Sequence, residues 1–358
     1  MKRLGIAVLA SLLLTAPAAA QLQITPPAAV PSPAPDKQKP KEKPKTTPHT
    51  IAKKKDAAPK PSASPTPTLP ATVIPAPPTD DSNVDLVFGA YQRGQYKTAF
   101  DLATARAKTG DPKAMTMLGE LYSNAMGIRR DYAKALEWYK RASDAGDREA
   151  MFALAMLRMS GRGGPVDKGE AVKLMASAAK LGEPKAAYNL ALLYLDGQTL
   201  PQDVRRSAEL LRQAADAGLP EAQYALATFY KEGTGVPKDP DRAVRLLQAA
   251  SLADNVDAEV EYAIALFNGT GTPQNRPAAV ALLRKASRQG SAIAQNRLAW
   301  VLINGMGVPV DKVEGFKWHL VAKTSGKGDP ELDKQLSDLP ADDRAKAEAA
   351  ARKWLGTK

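Results

Sequence analysis

Residues 218–253 read GLPEAQYALATFYKEGTGVPKDPDRAVRLLQAASLA, and the same arrangement of residue types recurs every 36 residues along most of the chain. Two alanine columns keep this register, one running from Ala114 to Ala294 and the other from Ala142 to Ala322. A glycine stands at the same point of six units, and only Asp254 breaks the series: Gly110, Gly146, Gly182, Gly218, Gly290 and Gly326. A fixed period of this length, held without an insertion, indicates a repeat protein.

Each unit predicts two helices. In the first full copy, Ala114, Leu118 and Tyr122 are four residues apart, which places them on one apolar stripe of a helix A. A glycine loop follows, and then an Asp or Asn stands where the N-cap of a helix B belongs, as in Asp239-Pro240. Helix B ends near the glycine of the series, which can adopt the left-handed conformation of a C-terminal cap.

One pair of short helices has too little core to be stable, so neighbouring units must stack. Small residues at the positions of Gly119 and Ala142 allow the helices to approach closely. The sequence therefore predicts an all-α fold, a right-handed α-solenoid of two-helix repeats with a 36-residue period and a concave face. Trp138 and Trp318 share one position of the repeat and are predicted to be core, with the leucines that hold it elsewhere: Leu174, Leu210, Leu246 and Leu282.

The first twenty residues predict a signal peptide. Lys2 and Arg3 precede an apolar run from Leu4 to Leu14, and Ala18-Ala19-Ala20 provides the small-residue pattern of a cleavage site. A membrane anchor is the alternative, but the run has about a dozen residues against roughly 20 for a bilayer span. We therefore expect cleavage after Ala20 and a periplasmic protein.

Residues 21–82 predict a disordered Pro/Lys-rich linker, because they contain 16 of the 29 prolines and no aromatic residue. Lys37–Lys60 carries all nine of its lysines. One interpretation is a passive spacer, and the other is attachment to an anionic envelope polymer or lipid surface. Residues 83–326 then form the solenoid, as a short first unit plus six repeats, and residues 327–358 form a C-terminal helical cap.

Composition excludes most common catalytic and metal-binding chemistry. The chain has no Cys and two His, His49 and His319, so disulfides, thiolate ligands and a thiol nucleophile are ruled out. We expect no catalytic, cofactor or metal site. The glycine loops resemble phosphate cradles, but none follows a strand and every unit repeats them, which indicates turn geometry. Nucleic acid is disfavoured as a partner because no helix face concentrates basic residues.

The repeat resembles the Sel-like repeat (SLR) family, a relative of the tetratricopeptide repeat. The resemblance rests on the pattern A-x-x-x-L-[GA]-x-x-Y-x-x-G-x-G-V-x-x-D and covers about residues 83–326. Residues 317–320 and the tail that follows resemble the exported alphaproteobacterial type. The family implies an α-solenoid scaffold that binds proteins or peptides. Departures from the pattern put local packing in question: Asp254, Tyr262, Leu266, Asn275, Arg158, Gly164-Pro165 and Thr199.

The positions that vary between units are the candidates for partner binding. In tetratricopeptide folds they face the groove, and exposed aromatic residues on such a surface are usual binding anchors. We expect Asn189 to hold a peptide backbone by its amide, and Arg297 and Trp300 to add polar selectivity. The candidate groove residues are Phe152, Met156, Tyr188, Asn189, Leu192, Tyr224, Thr228, Arg297 and Trp300.

The sequence thus favours an exported non-enzymatic scaffold or adaptor that binds a protein or extended peptide in its concave groove. A second interpretation is a regulator of envelope signalling that restrains a membrane sensor, as resemblance to an exopolysaccharide regulator suggests. A third is an exported enzyme or β-lactam-binding SLR protein, which is disfavoured because that group is rich in Cys. The sequence leaves the partner and the oligomeric state open.

Overall fold

The computed structural model describes residues 85–356, which form sixteen α-helices and no strand. The predicted signal peptide, the linker and its Lys37–Lys60 segment lie outside the described residues. The helices are α1 (Leu86–Gln92), α2 (Tyr96–Lys108), α3 (Pro112–Asn124), α4 (Tyr132–Asp144), α5 (Arg148–Ser160), α6 (Lys168–Lys180), α7 (Pro184–Asp196), α8 (Val204–Asp216), α9 (Pro220–Glu232), α10 (Pro240–Leu252), α11 (Val256–Asn268), α12 (Arg276–Arg288), α13 (Ala292–Asn304), α14 (Lys312–Thr324), α15 (Pro330–Ser337) and α16 (Ala341–Gly356).

Helices α3 to α14 form six A–B pairs, in which the odd-numbered helices are A and the even-numbered helices are B. All twelve have 13 residues, and each A helix starts 36 residues after the previous one. Each helix packs mainly against its neighbours in the chain. These features confirm the predicted all-α solenoid of two-helix repeats.

The residues that begin the B helices act as the sequence predicts. At every B helix the N-cap side-chain oxygen accepts a hydrogen bond from the backbone N–H three residues on, which satisfies an otherwise unpaired donor: Asp131, Asp167, Asp203, Asp239, Asn275 and Asp311. The helix start is therefore encoded by short-range contacts in each unit.

The predicted left-handed turn is present after every B helix, even where glycine is missing. The six glycines of the series have positive φ, and Asp254 adopts the same conformation with φ 59°. An L-residue is strained there. Lys285 Nζ lies 2.6 Å from the Asp254 carboxylate and 2.7 Å from the buried carboxylate of Glu259. Lys285 therefore joins Asp254, the residue that replaces the glycine, to Glu259 through two ion pairs.

The two alanine columns form the centre of the core, since every member is at most 2% exposed. The column of Trp138 is only partly core, and this corrects the prediction. Trp318 and Leu210 are buried, whereas the other four members are half-buried: Trp138, Leu174, Leu246 and Leu282. This position of the repeat lies at the margin of the contact between helices. Trp318 is nevertheless covered, because Trp354 packs on it with ring centroids 5.1 Å apart.

The glycine loops serve chain packing. A Cβ on Gly163 would lie 2.3 Å from the carbonyl oxygen of Tyr132, and one on Gly235 would lie 2.6 Å from that of Val204. The second glycine therefore lets each loop approach the start of the preceding B helix. Thr199 holds this position in the loop at residues 197–203, and its backbone is not left-handed.

Extra helices flank the six pairs. At the N-terminal end, α1 and α2 are joined by a turn through Gly94. At the C-terminal end, α15 begins after its N-cap Asp329, and Asp342 and Asp343 lie in the first turn of α16. His319 is fully buried, and its Nε2 lies 2.9 Å from the carboxylate of Asp333, so it connects α14 to α15.

Candidate protein-binding face

We define the A-face as the surface formed by five positions on each A helix, those that Lys113, Thr116, Met117, Glu120 and Asn124 hold on α3. The spacings of three, four and seven residues place these side chains on one side of the helix. The predicted groove residues all hold such positions on α5, α7, α9 or α13.

The middle of the A-face carries a central strip of apolar and aromatic side chains. It consists of Phe152 and Met156 on α5, Tyr188 and Leu192 on α7, and Tyr224 on α9. Four of them are half-buried, and Leu192 is buried. The four half-buried residues pack against one hydrophobic cluster beneath them, so the strip is anchored in the core and partly open to solvent.

Equivalent positions in the outer repeats make bonds within the protein. The Thr116 hydroxyl donates to the Asp147 carboxylate at 3.1 Å, and Asp147 caps α5. The Trp300 indole N–H donates to Asp329 at 2.9 Å, and the Asn296 amide donates to the Lys327 carbonyl at 3.3 Å. The structure thus places Trp300, a predicted groove residue, in a contact that ties α13 to the C-terminal helices.

Two polar candidates beside the strip bond to their own helices. The Asn189 amide donates to the Lys185 carbonyl at 2.8 Å, and the Thr228 hydroxyl donates to the Tyr224 carbonyl at 3.2 Å. Arg297 is half-buried on α13, where burial lowers its pKa and the charge of Glu261 acts in the opposite direction. The proposed roles of these residues toward a partner stay predictions.

Burial and nearby carboxylates shape the electrostatics of the strip. Burial, with the charge of Glu221, raises the pKa of Tyr188 to about 12. Burial also raises the pKa of Tyr224, and three carboxylates add to the rise: Glu261, Asp257 and Glu232. Both phenols therefore remain protonated at neutral pH and can act as hydrogen-bond donors.

Sequence reasoning missed the ion pairs that join successive A helices. Lys113 Nζ lies 2.9 Å from the carboxylate of Asp147, which is buried. Lys231 Nζ lies 3.0 Å from the carboxylate of Glu261. The two residues of the second pair are 30 apart, as are Arg284 and Glu314 on the B helices. A search for opposite charges separated by slightly less than one repeat would have found them.

Residues 85–356 contain no group of His, Asp and Glu side chains arranged to hold a metal ion. Within the same residues, no helix has the length and apolar character that crossing a membrane requires.

Comparison with known proteins identifies the repeat. The family described as Sel1 repeat matches residues 112–147, 148–183, 184–219, 220–255, 256–291 and 292–326. Among curated proteins, no sequence matches this chain.

Two solved structures share the fold. A protective antigen with an SLR fold from uropathogenic Escherichia coli is 24% identical, with a TM-score of 0.63, over 76% of this chain and 63% of the antigen. A Sel1 repeat protein from Oxalobacter formigenes is 24% identical, with a TM-score of 0.57, over 66% of this chain and 94% of that protein. The chain thus spans less than two thirds of the antigen's length.

Sel1 repeat proteins generally act as scaffolds for protein interactions, and solenoids of this kind are typically non-enzymatic. The matched segments begin where the A helices begin and together cover more than half of the chain. The chain therefore belongs to the Sel1 repeat family.

Proposed function

We propose that this protein is an exported scaffold that binds a protein or extended peptide along the central strip of the A-face. The partner's apolar side chains pack on Phe152, Met156, Tyr188 and Tyr224, which come from three consecutive A helices. Because one repeat separates each helix from the next, an extended ligand can contact all three. Half-buried aromatic residues are suited to this role, since they offer contact area at a low entropic cost.

The observation that carries the proposal is the difference between the middle and the ends of the A-face. Thr116, Asn296 and Trp300 hydrogen-bond to the following helix or turn, whereas four of the six equivalent positions on α5, α7 and α9 carry apolar or aromatic groups that remain partly exposed: Phe152, Met156, Tyr188 and Tyr224. Partly exposed aromatic side chains in a row are a feature of interaction surfaces.

Export and tethering complete the proposal. The signal peptide, cleaved after Ala20, delivers the protein to the periplasm, and Lys37–Lys60 either spaces the solenoid from its surroundings or holds it to an anionic polymer or lipid surface. A partner in the envelope is consistent with a role in regulating envelope signalling. The mass of the mature protein from the periplasmic fraction tests the cleavage site directly.

The binding face is tested by co-purification from intact cells, with and without residues 21–82, followed by affinity measurement with the identified partner. Tyr188→Ala combined with Tyr224→Ala should weaken binding by about thirtyfold or more, because truncating an aromatic anchor costs about 2 kcal/mol or more. Both rings pack against the core, so this variant also loses some stability.

A matched control separates binding from stability. Tyr122→Ala combined with Tyr194→Ala removes two half-buried tyrosines from the opposite, core-facing stripe of A helices. We expect both double variants to unfold at a lower temperature, and only the A-face variant to lose affinity at a temperature where both are folded. Equal loss of affinity in the two variants would show that the partner binds elsewhere.

A further inference from the structure

Three acidic side chains surround the Tyr224 end of the central strip. Glu221 lies in the first turn of α9, three residues before Tyr224, and Glu232 is the last residue of the same helix. Asp257 holds the position of Glu221 on the next A helix, α11. All three side chains are exposed.

Within residues 85–356, no ion pair neutralises these three charges. None of them forms an ion pair or a side-chain hydrogen bond with another described residue. Glu261, the fourth carboxylate near Tyr224, differs because it pairs with Lys231 at 3.0 Å and also lies in the field of Arg297. Glu221, Glu232 and Asp257 therefore leave an uncompensated negative field beside an apolar surface.

Stabilisation of the helices that carry them does not explain the positions of all three carboxylates. A carboxylate in a first turn is favourable, which explains Glu221 and Asp257 in part. Glu232 stands at the C-terminal end of α9, where the helix dipole disfavours a negative charge. Asp257 and Glu261 are like charges four residues apart on α11, a spacing that is also unfavourable.

The other end of the strip has a different charge pattern. Lys113 forms ion pairs with both Asp147 and Glu149, and Lys185 is exposed at the position that Glu221 and Asp257 hold on later helices. Asp196, the last residue of α7, also has no side-chain partner among the described residues, but the other three A-face carboxylates of this kind lie on α9 and α11, at one end of the apolar strip.

We infer that the A-face selects an extended, basic peptide segment of a partner protein, in which Lys or Arg side chains near apolar ones lie beside Glu221, Glu232 and Asp257 while the apolar ones cover the central strip. This inference rests on the proposed function, because it names the chemistry of the ligand for the same face. The acidic groups of this face complement the charge of Lys and Arg side chains, and charge complementarity governs selectivity and association rate.

A display library of random peptides about twelve residues long, selected on the full chain, tests the inference. Enriched peptides should contain Lys or Arg together with aromatic or aliphatic residues. Fluorescence anisotropy on one enriched peptide should show that Glu221→Gln, Glu232→Gln and Asp257→Asn together weaken binding about tenfold, and that salt weakens binding to the unmodified protein more than to this variant.

The control variant removes the same charge from the B helices: Glu137→Gln, Glu170→Gln and Asp216→Asn, all at exposed positions. It should bind the peptide as the unmodified protein does. Enrichment of neutral or acidic peptides whose binding needs Tyr188 and Tyr224 would overturn the inference and leave the proposed function standing. Selection of no peptide dependent on the two tyrosines would overturn both.

Discussion

The residue at the position of Gly119 is matched to the residue that faces it from the following B helix. Gly119 faces the ring of Tyr139, and a Cβ on this glycine would lie 2.6 Å from two ring carbons. In the other repeats an alanine replaces the glycine, and a smaller side chain replaces the tyrosine at all five B-helix positions: Met175, Leu211, Leu247, Leu283 and His319. The pair, rather than either residue alone, sets the helix separation.

Gly119→Ala should therefore destabilise the protein by about 1–3 kcal/mol, although alanine is the better helix former. Tyr139→Leu in the same chain should recover part of this loss, because the alanine–leucine pair is the one that other repeats use. Urea unfolding of the two single variants and the double variant measures the coupling. Additive effects would mean that the two positions do not pack as a pair.

The C-terminal helices act as a cover for the last repeat. Trp354 of α16 packs edge-on against Trp318 of α14, and Lys317 Nζ lies 4.1 Å and 5.1 Å from the centroids of the two rings. This contact buries Trp318 to 3% exposure, whereas Trp138 at the equivalent position of the first repeat is half-buried and stacks on Arg141. The contact with α16, and not the position within the repeat, decides whether this tryptophan is buried.

Trp354→Ala should lower the free energy of unfolding by about 2 kcal/mol or more, since it removes an aromatic pair and uncovers Trp318. Thermal unfolding followed by circular dichroism measures the loss, and tryptophan fluorescence reports the exposure of Trp318. Trp138→Ala is the control and should have a smaller effect. A larger effect at Trp138 would show that α16 does not stabilise the last repeat.

At the scale of the whole molecule, the ionisation of partly buried tyrosines makes the free energy of unfolding depend on pH in the alkaline range. One of these tyrosines lies in the first unit and another on an A helix. Tyr91 and Tyr188 both have a pKa of about 12 instead of an ordinary value near 10, mainly because burial disfavours the charged form. Since the folded state binds these protons more tightly than the unfolded state, their contribution to stability is complete below pH 10. It is lost as the pH rises from about 10 through 12.

Circular dichroism should therefore show cooperative loss of helix in this alkaline range, together with the absorbance change of tyrosinate formation. Tyr188→Phe should move the midpoint to higher pH, because one of the linked groups is gone. Tyr132 is a half-buried tyrosine flanked by Arg130 and Arg162. The midpoint of the Tyr132→Phe variant serves as the comparison. An unchanged midpoint in Tyr188→Phe would contradict the linkage.

The sequence by itself determined the period, the helix bounds and the caps, because these depend on contacts within a few residues. Asp239 caps α10 through a hydrogen bond to Arg242 three residues on, and the left-handed turn at Gly218 needs no distant partner. The buried alanine columns were also predictable, since a repeat that stacks at a fixed period brings small residues together at every interface.

Only the tertiary structure decided which positions of the A-face are bonded and which are open. Trp300 and Tyr224 hold related places on their helices, yet Trp300 donates to Asp329 while Tyr224 stays at the strip in the field of three carboxylates. The difference arises from side chains about 30 residues away and from the orientation of each helix against the next. A periodic pattern specifies that units stack, but not which side chains meet across the junction.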